Sequence, residues 1–311
     1  MSVELRQAAA ALSRAAQQLR AGDPHGALES LRGGLAMLPG DATLHAVLAV
    51  VLLRLRRRHA ARREAQIAVG LEPTLPLAHR ALGLAHLAFR DLRRAEAALR
   101  QAVALDPADD ESHAALARAL AAAGRRDEAE ASARQAMALD TSSPAHAAAL
   151  GELALARGRR DEAKAHALAA LRLQADDPDA LLLMGEVLLE EGEVEGARDH
   201  ARSVLRVDAD SRPALQLLTA VKARTSLLLG LWWRFATFMS RFGRGTVLVL
   251  IGMFVAYRFA VIALEETGLA QGARLAQGVW LAFAAYTWIA PALFRRSLEK
   301  ELSTVRLSRD F

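Results

Sequence analysis

Nine histidines, a few acidic pairs and one arginine inside an apolar run are the residues with which this chain could do chemistry. His45, His79 and His113 stand 34 residues apart, and His166 and His200 share the same interval in another phase. A histidine ladder raises the question of metal. Zinc takes its ligands at about 2.1 Å from one centre, whereas equivalent positions on neighbouring packed helices lie roughly 8–10 Å apart. One ion does not hold two rungs, so repetition explains the ladder and no metal is expected. The carboxylate pairs Asp127-Glu128 and Asp161-Glu162 each follow Gly-Arg-Arg. At a helix start they complement the positive end of the dipole, a simpler task than acid–base catalysis. There is no cysteine, which removes thiol catalysis, thiolate metal ligands and disulfides. No phosphate loop, dinucleotide fingerprint, zincin motif or nucleophile elbow occurs. The expectation is a protein that is not an enzyme and carries no catalytic residue, no metal and no cofactor.

The elements that hold these residues repeat. Pro39, Pro73 and Pro107 share one phase, continued by Thr141, Ala175 and Ala209. From Ala8 the units are 8–41, 42–75, 76–109, 110–143, 144–177 and 178–211. Each pairs a first helix bearing Leu-Ala, Leu-Gly or Met-Gly with a second helix bearing spaced alanines. Examples are Leu48-Ala49 with Ala61, Ala65 and Ala68, and Leu82-Gly83 with Ala95, Leu99 and Ala102. Met184-Gly185 with Ala197, Ala201 and Val204 is the sixth. Alanine at a crossing lets helices approach closely, and leucine fills the remaining space. The first unit departs, with Arg14 where leucine is expected, which suits a cap. Gly22, Gly124, Gly158 and Gly192 mark left-handed turns after the first helix, and Arg56 and Arg90 replace that glycine in units two and three.

This pattern resembles the tetratricopeptide repeat family over about two-thirds of the chain; a repeat of 34 residues is its unit. The resemblance implies an all-α solenoid of about six helix pairs that binds a protein or peptide in a concave groove lined by the first helices. On that resemblance the groove positions are Arg54, Arg80, Leu84, Arg118, Glu152, Leu182, Glu186 and Glu190. Their charge runs from basic to acidic and would orient a partner of opposite polarity. The lysine and asparagine clamp that some family members use for chaperone tails is not visible here.

The final third differs in composition. Residues 1–211 hold 27 basic and 30 acidic side chains, while 212–311 hold 13 and 5. The high isoelectric point therefore belongs to the tail, and nucleic acid is not an expected partner. Residues 212–224 read as one further helix. Thr246–Leu264 and Leu275–Phe294 are apolar runs of 19 and 20 residues, each long enough to cross a bilayer. Small residues at Gly252, Ala256 and Ala260, and at Gly278, Ala282 and Ala285, offer faces for close helix packing. Arg241, Arg244, Arg295, Arg296 and Lys300 flank the pair, and Glu265 and Glu266 lie in the loop. Positive residues stay inside, so both termini are expected on the cytoplasmic face of a cell inner membrane. No signal-peptide core occurs in residues 1–20.

Residues 226–242 form a shorter aromatic segment, in which Trp232, Trp233 and Arg234 suit the headgroup region. It reads as an interfacial helix, with a third span as the alternative. Arg258 is the one charge within a span and is expected to snorkel toward Glu265 or Glu266. The basic run from Arg54 to Arg63 reads as either a solvated helix end or a patch for an acidic partner or anionic headgroups. The resulting division is a solenoid with terminal cap over 1–222, a linker helix over 223–244, a transmembrane hairpin over 245–296 and a cytoplasmic tail over 297–311. The function expected is a membrane-tethered scaffold. The alternatives are a subunit recognised through its membrane segments, or a soluble repeat protein with a buried C-terminal helical domain.

Overall fold

The computed structural model describes residues 3–225, 246–267 and 269–307, together with 235, 238, 239, 242 and 243. Every regular element among them is helical. Two compact units are distinguished, residues 1–180 and 181–311.

The first unit holds ten helices in consecutive pairs: α1 (Val3–Arg20) with α2 (Pro24–Met37), α3 (Ala42–Arg54) with α4 (Arg58–Leu71), α5 (Pro76–Ala88) with α6 (Leu92–Leu105), α7 (Asp110–Ala122) with α8 (Arg126–Leu139), and α9 (Pro144–Ala156) with α10 (Arg160–Leu173). Each pair corresponds to one sequence period. Alanine sets the spacing: Ala61, Ala65, Ala68, Ala95, Ala102 and Ala163 have no exposed surface. Leu44, Leu99 and Leu120 fill the gaps and are buried to within 2%. Gly83 shows how close the first and second helices come. A Cβ there would lie 2.5 Å from Cγ of Leu99 and 3.2 Å from the Ala95 carbonyl oxygen, so only glycine fits without rearrangement. Arg14 is exposed, whereas Leu48 and Leu116 at its phase are buried, giving the first pair a polar outer face.

One turn geometry joins the two helices of each pair. Gly22, Gly124, Gly158 and Gly192 take φ between 73° and 91°, the left-handed conformation that glycine adopts without steric cost. Arg56 and Arg90 occupy the same place with φ of 58°. The hydrogen bonding is unchanged: the next N–H returns to a carbonyl five residues back, Arg57 to Leu52, Asp91 to His86 and Arg125 to Leu120. Of the second helices, α2 and α6 start on Asp23 and Asp91, whose carboxylates accept from the N–H groups of Gly26 and Arg94, whereas α4, α8 and α10 start on Arg57, Arg125 and Arg159 without a side-chain cap. Of the first helices, α3 starts on Asp41, and α5 and α9 carry Pro76 and Pro144 at the first helical position.

The second unit contains α11 (Pro178–Glu191, whose first residues close the first unit), α12 (Val194–Val207) and α13 (Arg212–Thr225). Leu205, Leu217, Leu218 and Val221 form its core, and α13 supplies the expected extra helix. Two further helices follow, Thr246–Glu266 and Ala270–Leu307. The second spans 38 residues and runs unbroken through Pro291. At about 1.5 Å per residue it exceeds the roughly 30 Å of a bilayer core, so the expected tail beyond 296 continues the helix through 307.

Candidate functional site

The eight groove positions do not share one environment. Arg54, Arg118 and Glu152 are exposed on α3, α7 and α9, as expected. Arg80 is drawn in: its guanidinium lies 2.7 Å from Asp109 and 2.8 Å from Glu111, joining α5 to α7. It is an inter-repeat clip, not an open contact. Leu84 is half-buried against the core around Leu116 and Leu120. Leu182 corrects the expectation outright: it is 8% exposed and packs in the core with Leu217 and Leu218. A leucine three residues before Gly185 faces inward here because α12 and α13 close over it.

Glu186 and Glu190 remain exposed, four residues apart on α11. Partial burial raises the Glu186 carboxyl above its ordinary range, and the nearby Glu190 charge adds to this. Asp179, seven residues before Glu186 on the same helix, is also raised, by burial and then by Asp177, with Arg118 opposing. Within the second unit, Glu186 and Glu190 place two carboxylates one turn apart on α11.

The histidine ladder has a structural explanation. His45, His79 and His113 donate from Nε2 to the carbonyl oxygens of Pro39, Pro73 and Pro107 at 2.9, 2.7 and 3.1 Å. Each rung ties a first helix to the loop before it. A different histidine, His146, lies off this ladder. Its Nε2 lies 2.7 Å from Asp110, and Asp140 completes a group whose ligand atoms lie within 4.8 Å of one another. Asp140 is already engaged as a turn former, accepting from the N–H and hydroxyl of Ser142. The arrangement serves as a joint between the fourth and fifth repeats. Its sequence signal was register: one period away stand Ser112 and Ala180, both buried and small, and two further back Ala78 and Leu44.

Arginines line the turn edge of the first unit. Between the third and fifth repeats they are neutralised in series. Arg125 lies 2.5 Å from Glu96 and also pairs with Glu128, and Arg100 bridges the same two carboxylates at 2.9 and 3.2 Å. Arg157 meets Asp127 at 2.6 Å and Glu130 at 3.0 Å, and Arg159 meets Glu130 at 2.7 Å and Glu162 at 2.7 Å. Arg134 also pairs with Glu130, which is 5% exposed. Burial pushes the Glu130 carboxyl up, but the Arg159 hydrogen bond and the surrounding arginine charges outweigh it and hold it low. The acidic pairs expected at helix starts are thus also the partners of this ladder.

In the second and third repeats, Arg56, Arg57, Arg58, Arg63, Arg90 and Arg93 make no ion pair among the described residues. The two turns are joined through Phe89, against which His59 packs edge-on at 4.9 Å and Arg62 stacks at 4.7 Å. Beneath them His86 is buried. Desolvation lowers its pKa first, then Arg94 and Arg62, with Asp91 opposing.

The C-terminal helices contact each other through aromatics. Tyr257 stacks on Trp280 at 4.6 Å and 9°, with Phe254 and Phe283 on either side of Trp280 at 5.9 Å. The small-residue faces expected to pack are not used: Gly252 and Gly278 have open space where a Cβ would be. Large rings at the crossing hold the backbones apart and leave those faces outside. Arg258 is exposed and pairs with neither Glu265 nor Glu266 among the described residues. Trp232, Trp233 and Arg234 lie outside the described residues, as does most of the expected interfacial helix. By length and composition one described stretch, Leu248–Glu266, is able to cross a membrane; its mean hydropathy is 2.0 and 6% of it is buried.

Sequence profiles described as tetratricopeptide repeat match residues 80–144 and 154–221. No curated protein matches the sequence. Among solved structures, a thermophilic TPR protein from Thermus thermophilus is 28% identical with a TM-score of 0.55, over 58% of this chain and 99% of that one. PilF of Pseudomonas aeruginosa is 17% identical with a TM-score of 0.50, over 69% and 98%. PilW, titled a widely conserved type IV pilus biogenesis factor, is 17% identical with a TM-score of 0.54, over 70% and 99%. The last two show likeness of fold alone. Period, turn geometry, alanine crossings and matched profiles agree, and the repeats over residues 80–144 and 154–221 are of the tetratricopeptide type.

Proposed function

We propose that this chain is a non-catalytic, membrane-tethered scaffold that holds a protein partner against its first helices on the cytoplasmic side of a bacterial inner membrane. The tether rests on one observation. Leu248, Phe259, Leu275, Val279, Leu281 and Trp288 of the last two helices are each 68–89% exposed. Soluble proteins do not leave that much contiguous apolar surface in water. A soluble domain with a buried C-terminal core, the third alternative, requires these side chains to be covered. Insertion as a hairpin satisfies them, and the basic flanks favour termini on the cytoplasmic side.

The partner reading rests on α11. Carboxylates at Glu186 and Glu190 stand one turn apart, and partial desolvation and the Glu190 charge raise the Glu186 carboxyl. A basic segment of a partner would relieve that penalty, whereas an acidic one would meet repulsion. No metal, cofactor or nucleic acid is required by this reading.

Membrane fractionation followed by affinity capture from a detergent extract tests both parts. The expected result is recovery in the membrane fraction, resistant to carbonate and released by detergent. A specific protein should be retained, and lost when Glu186 and Glu190 are both changed to Lys. Recovery in the soluble fraction defeats the tether. Full retention of the partner by Glu186→Lys/Glu190→Lys defeats the α11 contact and moves recognition to the membrane helices.

A further inference from the structure

The unpaired arginines of the second and third repeats remain without a task. Arg56 and Arg90 take φ of 58°, where four of the other turns use glycine. For an L-residue with a Cβ this conformation costs roughly 1 kcal/mol. Two successive repeats therefore carry arginine at the position where glycine is the less strained choice. Backbone strain retained at one edge of a fold is a signature of surfaces kept for binding.

Charge tells the same way. Successive turns lie roughly 10 Å apart, just beyond the Debye length of about 8 Å at physiological salt, so their charges are only partly screened. Arg56, Arg57, Arg58, Arg63, Arg90 and Arg93 make no ion pair among the described residues, and Asp91, the acidic residue beside Arg90, is held by Arg94, so basic charge is in excess at this edge. The stack of His59, Phe89 and Arg62 couples the two turns, so the charges are presented together.

We infer that this edge binds an anionic phospholipid surface. These arginines sit at or just after two successive turns rather than along the first helices, so they lie apart from the groove positions and suit a plane of headgroups better than a peptide. Guanidinium forks match phosphate oxygens bidentately. A protein hot spot would need a desolvated apolar or aromatic centre, and single-stranded nucleic acid would need stacking platforms. No exposed large apolar residue lies between Arg54 and Arg63 or between Phe89 and Arg94. The choice of lipid as the source of the phosphate rests on the membrane-tether reading above.

The test uses the full chain reconstituted in discs of zwitterionic phosphatidylcholine, so that the tether is occupied by neutral lipid. Fluorescent vesicles of phosphatidylcholine alone, or of phosphatidylcholine with phosphatidylglycerol, are then offered and capture is measured by flotation. The expected result is capture of the anionic vesicles only, falling steeply as salt is raised. Arg56→Gly/Arg90→Gly should lose capture by about tenfold or more, while its melting temperature rises because strain is relieved. That opposite movement separates a binding role from a folding defect. Arg57→Glu/Arg93→Glu, which leaves the turn residues in place, should lose capture as well. Equal capture of both vesicle types, undiminished capture by the double glycine variant, or displacement of vesicles by duplex DNA at lower concentration each overturns the proposal. If the chain leaves the discs, the tether fails by itself, and the edge is still tested by vesicle capture with the released protein.

Discussion

The turn edge of the first unit carries arginine along its whole length, but its two stretches treat that charge in opposite ways. In the fourth and fifth repeats the turns keep glycine, and Arg125, Arg157 and Arg159 are folded back onto Glu96, Glu128, Glu130 and Glu162. In the second and third, arginine replaces the glycine itself and makes no ion pair among the described residues. Both stretches share one turn geometry and one alanine core. The difference lies on the surface. One stretch uses its charge for internal cohesion, and the other leaves it available for something outside the chain.

The sharpest way to break this contrast is at Glu130. It is almost wholly buried and receives Arg134, Arg157 and Arg159. Glu130→Ala leaves three guanidinium groups without their shared carboxylate, and should destabilise the fold by about 2–3 kcal/mol. Chemical denaturation followed by circular dichroism reads this directly. A loss below about 0.5 kcal/mol, the level of an ordinary surface pair, would mean that the paired stretch is no more cohesive than the unpaired one.

Exchanging the turn residues gives the next largest effect. Gly158→Arg should cost about 1 kcal/mol, and Arg56→Gly should recover about the same amount. The two melting temperatures should move in opposite directions by roughly 2–4 °C. If both substitutions destabilise, Arg56 makes a contact that offsets its backbone strain, and the edge is structural after all.

Much of this was legible in the sequence because a repeat repeats its physics. Four units with Leu-Ala or Leu-Gly, a fifth with Met184-Gly185, and spaced alanines place the helix pairs, and Gly22, Gly124, Gly158 and Gly192 place the turns. The substitutions at Arg56 and Arg90 were visible as departures, but whether the turn survived them was not. What the sequence hid depends on neighbours in space. Leu182 and Arg80 sit at outward-looking phases, yet one is covered by α13 and the other is captured by Asp109 and Glu111. His146 announces its joint with Asp110 only when its register is compared with Ser112 and Ala180. In the last two helices the small-residue spacing misled, because Tyr257 and Trp280 claim the crossing first.

The two stretches should also respond differently to acid. His86 lies under the unpaired stretch with its pKa lowered, chiefly by burial and then by Arg94 and Arg62. The folded state then binds fewer protons than the unfolded state, so stability is full above the unfolded value of about 6.5 and declines as pH falls below it. Glu96, Glu128 and Glu130 of the paired stretch have lowered values, so their contribution persists until pH falls below the ordinary carboxylate range. Melting between pH 7.5 and 5.5 should therefore show a small decline, on the order of 1–2 °C. His86→Asn should flatten that part of the profile, leaving His200, also lowered by burial, as a remaining contributor. An unchanged slope in the variant would remove His86 from the account.

The smallest effect belongs to Glu186 on α11. Glu186 is raised by partial burial and by Glu190, so near neutral pH its charge opposes folding. Glu186→Gln removes the charge and keeps the shape, and should raise the melting temperature by about 1 °C while weakening capture of a basic partner. Stability gained together with binding lost is the pattern predicted for Arg56→Gly at the edge. If Glu186→Gln gained stability and kept its partner, the carboxylates of α11 would be an unrelieved cost, and the edge arginines would be this chain's better-supported contact with its surroundings.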